Sequence, residues 1–333
     1  MVVLAGITAY WFHVAGQLRK GIDAFAEQRR AQGWTVDLPP PGLEGFPRAV
    51  TARLPRVGLS SPAGLSWRGE DVTITIPLSD PLAPIVSLAG MHRLQLGPWS
   101  GVVSAGLADA HLRLDANGRP RRLDLAATTL VLEQPGLAPL TLNAASLGVE
   151  RPPPRVPDHQ NPSLTLALGL RGLVLPDMPG LLLGRRIEVF QMEGRLMGTL
   201  PDGPLPAALA VWSANGGTFE LERLALDWAP LSIEADGTFA LDPRMQPLLA
   251  TTSRVRGWAE MVARLVQAGL VEPGMASAAE LMMSILARPD AQGRSTLTIP
   301  VSVQDGILTA GQIRLLRVPP LSLPSLLSGD RPS

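Results

Sequence analysis

Cysteine is absent from the 333 residues, which removes thiol nucleophiles, disulfide frameworks and thiolate metal sites in one step. A chain without thiols cannot mispair, so the composition fits an oxidising compartment. Lysine occurs once, at Lys20, and the remaining cations are arginines scattered without a cluster. Formal net charge is zero; no basic stripe interleaved with aromatics appears, and nucleic acid is excluded as a partner. Aromatic residues make up 4% and charged residues 17%, against 46% hydrophobic, a balance found in folded or membrane-associated chains and not in disordered ones.

Motifs of chemistry are missing as well. There is no G-x-S-x-G elbow, no P-loop, no glycine-rich turn opening a helix after a strand, and no H-E-x-x-H. Of the four histidines, His13 falls in the apolar start and His159 in a proline-rich loop. His92 and His111 fall in strands with no carboxylate pair at ligand spacing, so no metal and no cofactor is expected. Glu220 with Glu222, and Glu188 with Glu193, are candidate acid–base pairs. At strand spacing they read more simply as a solvated face. The chain is read as non-enzymatic, with no catalytic residue.

What is present begins with "MVVLAGITAYWFHVAGQL", free of Asp, Glu, Lys and Arg from Met1 to Leu18. At about 1.5 Å of rise per residue this is near the minimum that crosses hydrocarbon. It is expected to be a membrane anchor that includes Val3, Leu4 and Ile7, with Tyr10, Trp11 and Phe12 near the membrane–water boundary; a buried or interfacial helix is the alternative. Arg19 and Lys20 follow the run and no basic flank precedes it, so the natural start is expected a few codons upstream, with added Arg or Lys. No small-residue cleavage site closes the run, which favours an uncleaved anchor. From Gln17 to Gln32, Leu18, Ile22, Phe25 and Ala26 recur at helical spacing, with Gly33 as the cap. Residues 1–33 are therefore expected to form a transmembrane anchor and a stalk helix that lies on a sheet.

Past Pro39–Pro41 the period changes to two. In "DVTITIPL", Val72, Ile74, Ile76 and Leu78 share a face, the mark of a half-buried strand. "AHLRLDANGRPRRLDLAATTLVLE" reads as a hairpin reversing at Asn117-Gly118, and "PLTLNAASLGV" as the next strand. The proline-rich Glu150 to Ser163 is the expected boundary between β regions 42–150 and 163–320. In the second region Leu164, Leu166, Leu168 and Leu170 align, and Asp236-Gly237 and Asp305-Gly306 are expected to turn the chain. A helical insertion is expected at about 253–288, from Val255, Trp258, Val262, Leu265 and Val266 and then Leu281, Met282, Ile285 and Leu286, divided at Pro273-Gly274. Residues 321–333 read as a loose tail. Trp67 and Trp228, each set before an alternating run and an Asp-Pro pair, read as core positions and hint at two halves. The expected fold is mainly β: extended antiparallel sheet with an N-terminal membrane or stalk helix and a C-terminal helical pair packed on the sheet.

The apolar start running into Trp11, the "GFPRAV" turn at Gly45 to Val50, "LSWRGEDVTI" around Trp67 and the closing "VSVQDGILTAGQIRLL" together resemble the alphaproteobacterial family known as domain of unknown function 2125. That resemblance implies a β-rich body facing the periplasm and held to the inner membrane by its N-terminus. Gly45, Phe46, Pro47 and Trp67 match the family's pattern, as turn and core positions; the missing basic flank departs from it. "LSIEADGTFALD", Leu231 to Asp242, is similar in style to hairpins of AsmA-like envelope proteins, whose sheets form lipid-lined grooves. An antiparallel sheet this rich in leucine and valine must cover its apolar face. The expected function is therefore an envelope protein, anchored in the inner membrane with its bulk in the periplasm, that holds lipid or another apolar ligand in a groove. A protein-interaction scaffold is the alternative, and a hydrolase of envelope polymers a more distant third.

Overall fold

The computed structural model describes residues 1–62, 64–97, 99–152, 161–177, 181–201 and 205–318, with the side chains at 205, 206, 315 and 316 left aside. Most of the proline-rich boundary, with His159, and the tail 321–333 lie outside the described residues. The chain forms two compact units, Met1–Arg151 and Pro152–Leu323.

In the N-terminal unit one helix, α1 (Val2–Ala31), precedes β1 (Thr35–Asp37), β2 (Gly42–Glu44), β3 (Ala49–Ser60), β4 (Leu65–Pro77), β5 (Ile85–Leu88), β6 (Gly90–Leu96), β7 (Trp99–Ala105), β8 (Leu107–Leu114), β9 (Pro120–Glu133) and β10 (Leu140–Glu150). All pairings are antiparallel. β1 and β2 both border β3, β3 pairs with β4, and β4 pairs with β5 along one half and β6 along the other. β8 and β7 continue from these to β9, which pairs with β10. In β3 against β4, Val50 faces Ile76, Leu54 faces Val72 and Leu59 faces Trp67, so alternation gathers the apolar side chains on one face. The inward positions step by three, from Leu54 to Val57 and from Gly69 to Val72, where Asp71 takes φ +51°. That irregularity keeps the apolar face continuous past Pro55 and Arg56.

α1 covers part of this face. Trp11, Val14, Ala15 and Leu18 recur every three or four residues and are buried against Val50 and Ala52. The Trp11 indole N–H donates to the Ala49 carbonyl over 2.7 Å. One continuous helix runs through both the expected anchor and the expected stalk. Among the described residues no helix is long and apolar enough to cross a membrane. Charges begin at Arg19, and the second half of the expected span is committed to the chain's own sheet. The "GFPRAV" turn joins β2 to β3. Gly45 takes φ +97°, where a Cβ would come within 2.8 Å of the Ala49 carbonyl oxygen.

The C-terminal unit contains β11 (Pro162–Val174), β12 (Arg186–Met197), α2 (Leu205–Ala214), β13 (Thr218–Trp228), β14 (Leu231–Leu241), β15 (Pro247–Arg256), α3 (Trp258–Gln267), α4 (Pro273–Leu286), β16 (Arg288–Pro289), β17 (Ser295–Gln304), β18 (Ile307–Ala310) and β19 (Ile313–Arg317). The strands follow chain order as an antiparallel meander, β15 passing to β17 across the α3–α4 insertion; β16 pairs with the start of β17. Asp305-Gly306 reverses the chain as expected, both residues at positive φ. Asp236-Gly237 does not: β14 runs straight through it. Glycine is needed there because a Cβ would lie 2.1 Å from the Ala250 carbonyl oxygen on β15, a close approach of strands and not a turn. α2 is an element that period-two reading passes over. Trp212 is 2% exposed and its indole donates to the Met197 carbonyl over 2.7 Å. The helical pair touches the sheet lightly, with Ala276 the one buried residue of α4 and none in α3.

Three hairpins share one five-residue loop: DANGR at Asp115, DPRMQ at Asp242 and DAQGR at Asp290. In each, Asp Oδ1 accepts the backbone N–H of the third and fifth residues, and the fourth residue takes positive φ, as Gly118, Met245 or Gly293. These donors, led by the N–H of Arg119, Gln246 and Arg294 respectively, hold the three carboxyls below the ordinary carboxylate range. A lowered folded-state pKa stabilises above the unfolded value of about 3.9, and that stability is lost as pH falls through the lower folded value. The triple Asp→Asn variant is expected to lose less Tm than wild type on acidification from neutral pH. Parallel losses in both proteins would remove the loops from the acid response. Met245→Gly should raise stability by up to about 1 kcal/mol, since methionine at positive φ is strained; a lower denaturation midpoint would contradict this.

Candidate functional site

A groove of about 860 Å³ runs between α1 and the sheet of the N-terminal unit, inside the range of about 300–1,000 Å³ usual for small-molecule sites. The helix supplies one wall at helical spacing: Tyr10, His13, Gln17, Gly21 and Phe25, with Leu18 and Ile22 behind them. The floor comes from the inward positions of β3, β4 and β5, including Leu54, Val57, Val72, Ile74 and Val86, and from Leu112 and Leu114 of β8. No Asp, Glu, Lys or Arg lines it. The polar side chains of α1 in the lining cluster toward the helix's N-terminal half.

α1 runs against the direction of β4. Trp11 packs beside Val50 and Ile76, while Leu38, just past the helix, packs with Leu54 and Val57 near Trp67. The groove therefore has a polar-flanked end near Tyr10 and an apolar end at Trp67. From Tyr10 to Phe25 the helix advances about 22 Å.

At the apolar end Trp67 stacks on His92, ring centroids 6.0 Å apart and planes 21° from parallel. His92 is 7% exposed and neither ring nitrogen has a hydrogen-bond partner, a costly state for a buried polar group. Gly69, opposite His92 across the β4–β6 ladder, makes room for both rings: a Cβ there would meet His92 Nδ1 at 2.7 Å and Trp67 Cζ2 at 2.8 Å.

The residues expected in a membrane anchor separate into different roles. Val3, Leu4 and Ile7 are exposed, Tyr10 lines the groove, Trp11 is core, and Phe12 stands exposed with its ring edge-on to Trp11. Phe46 is exposed in the turn beside the same indole, 6.1 Å away. Pro47 is exposed in the same turn, after a cis peptide. Trp228, partly buried, donates its indole N–H to the Gly184 carbonyl. The carboxylate pairs meet arginines: Glu220 and Glu222 lie 3.4 Å and 2.9 Å from Arg195, and Glu188 lies 2.6 Å from Arg186. Among the described residues no three His, Asp or Glu side chains gather as metal ligands. His13 was placed by sequence in the apolar start, and nothing in its spacing marked it as part of a groove wall.

Fold and groove together define an antiparallel β-sheet protein with an uncharged slot beneath its N-terminal helix. The chain belongs to the family described as "Uncharacterized protein conserved in bacteria (DUF2125)", whose model matches residues 11–319 and so spans the groove from Trp11 onward. No curated protein and no solved structure matches the chain. The likeness to AsmA-like envelope proteins is not shown, and the stretch Leu231 to Asp242 that suggested it forms, up to Leu241, the single strand β14 and not a hairpin.

Proposed function

We propose that the N-terminal unit binds a long-chain lipid in the groove between α1 and the sheet, at a membrane surface of the cell envelope, with the body in the periplasm. The observation that carries this reading is a slot of about 860 Å³ with no charged side chain in its lining. Such a lining suits a hydrocarbon chain, each buried methylene of which contributes about 0.8 kcal/mol, and offers nothing to a charged substrate, whose desolvation would go uncompensated. The exposed apolar start of α1, Val2, Val3, Leu4 and Ile7, supports contact with the bilayer next to the groove's polar-flanked end, where a lipid headgroup would remain in water. The test is native mass spectrometry of protein purified from membranes in mild detergent, with organic extraction of the bound fraction. Stoichiometric release of a lipid is expected; protein that is reproducibly free of lipid would overturn the reading. The scaffold alternative draws its support from α4, where Met275, Leu281, Met282, Ile285 and Leu286 are exposed, more apolar surface than one helix ordinarily leaves to solvent.

A further inference from the structure

The groove is asymmetric along its length, and its apolar end is built with care. Trp67 stands across that end, braced by His92 from behind, in a space that exists only because position 69 has no side chain. The imidazole is kept there although neither nitrogen is hydrogen-bonded. A leucine would fill the space without that penalty, so a plane stacked against the indole is what this position supplies. At the other end Tyr10, His13 and Gln17 offer hydrogen-bonding groups at the water margin.

We propose that the Trp67–His92 stack is an end stop that sets ligand length, and that the ligand is an amphiphile bound tail-first, its polar end at the water margin beside Tyr10. This rests on the reading of the groove as a lipid site. An extended alkyl chain advances about 1.25 Å per carbon, given a carbon–carbon bond of about 1.5 Å. The helix-lined length of about 22 Å therefore holds about 17 carbons.

The test uses the full chain, stripped of lipid, and a fluorescent fatty acid displaced by straight-chain acids from dodecanoic to docosanoic. In wild type, affinity is expected to rise about fourfold per added methylene and to stop rising near hexadecanoic to octadecanoic acid. Trp67→Ala opens the space held by the indole and should move the break to longer acids. Gly69→Ala presses both rings forward and should move it to shorter ones. Circular dichroism checks that each variant is folded, and if one is not, the other still decides. Monoacyl phospholipids of the same chain lengths distinguish a free acid from a lipid tail as the source, and the break should fall at the same chain length for both. An unmoved break in a folded variant would overturn the end stop while leaving lipid binding intact. Failure of wild type to bind any acid or monoacyl lipid would remove the lipid reading itself.

Discussion

Replacing Gly21 by tryptophan is expected to weaken fatty-acid binding more than a hundredfold while leaving the protein folded and slightly stabilised. Gly21 lines the groove from α1 between Gln17 and Phe25, and an added Cβ meets nothing within 4 Å. The substitution therefore disturbs no packing. Removing a mid-helix glycine also gains about 0.5 kcal/mol or less of helix propensity. An indole at this point projects into the slot short of its apolar end and denies the chain the space beyond it. Denying burial to only four methylenes costs about 3 kcal/mol, or more than two orders of magnitude in affinity. Titration with octadecanoic acid, alongside thermal melts, separates the two effects. Undiminished affinity in the folded variant would place the ligand elsewhere.

Trp212→Ala should be among the most destabilising single changes in the C-terminal unit, by about 3–5 kcal/mol for loss of a buried indole, with the Met197 carbonyl left short of its donor as a further cost. Gly217 shows how closely the ring is fitted, since a Cβ there would lie 2.3 Å from the indole nitrogen. Trp212→Phe retains most of the packing and loses only the hydrogen bond, so it should fall between. Because the chain has two units, unfolding is followed by hydrogen exchange in peptides of β12 and β13 and not by one global midpoint. Unchanged protection in Trp212→Ala would mean α2 is not fastened to the sheet by this side chain.

The contrast between Trp11 and Trp212 explains what was legible in the sequence. Both indoles tie a helix to a strand end through a 2.7 Å hydrogen bond to a carbonyl. α1 announces itself by a charge-free apolar run to Leu18 and by the helical spacing of Leu18, Ile22, Phe25 and Ala26 after it, whereas α2 is ten residues, nearly all apolar, and shows little amphipathic contrast. The strands were readable wherever one face is buried, because period two is then enforced. The hairpin turns were readable only in part. Asn117-Gly118 stands out, yet the residue that organises that loop is Asp115, and the same aspartate device at Asp242 and Asp290 carries no Asn-Gly to mark it. Asp236-Gly237 looked like a turn because a glycine demanded by strand contact and one demanded by positive φ are the same letter. The groove was least legible. It depends on which side of α1 meets the sheet, and the run that suggested a membrane span is uncharged partly because half of it packs on that sheet.

The most direct test of the account is photocrosslinking of the delipidated full chain with octadecanoic acid carrying a diazirine at its methyl end, followed by peptide mapping. Adducts are expected at the apolar end of the groove, on residues around Trp67, Leu59 and Phe25, and competed away by unlabelled octadecanoic acid. Competable adducts concentrated on α4, or none in the N-terminal unit, would contradict the claim that the space beneath α1 holds the chain.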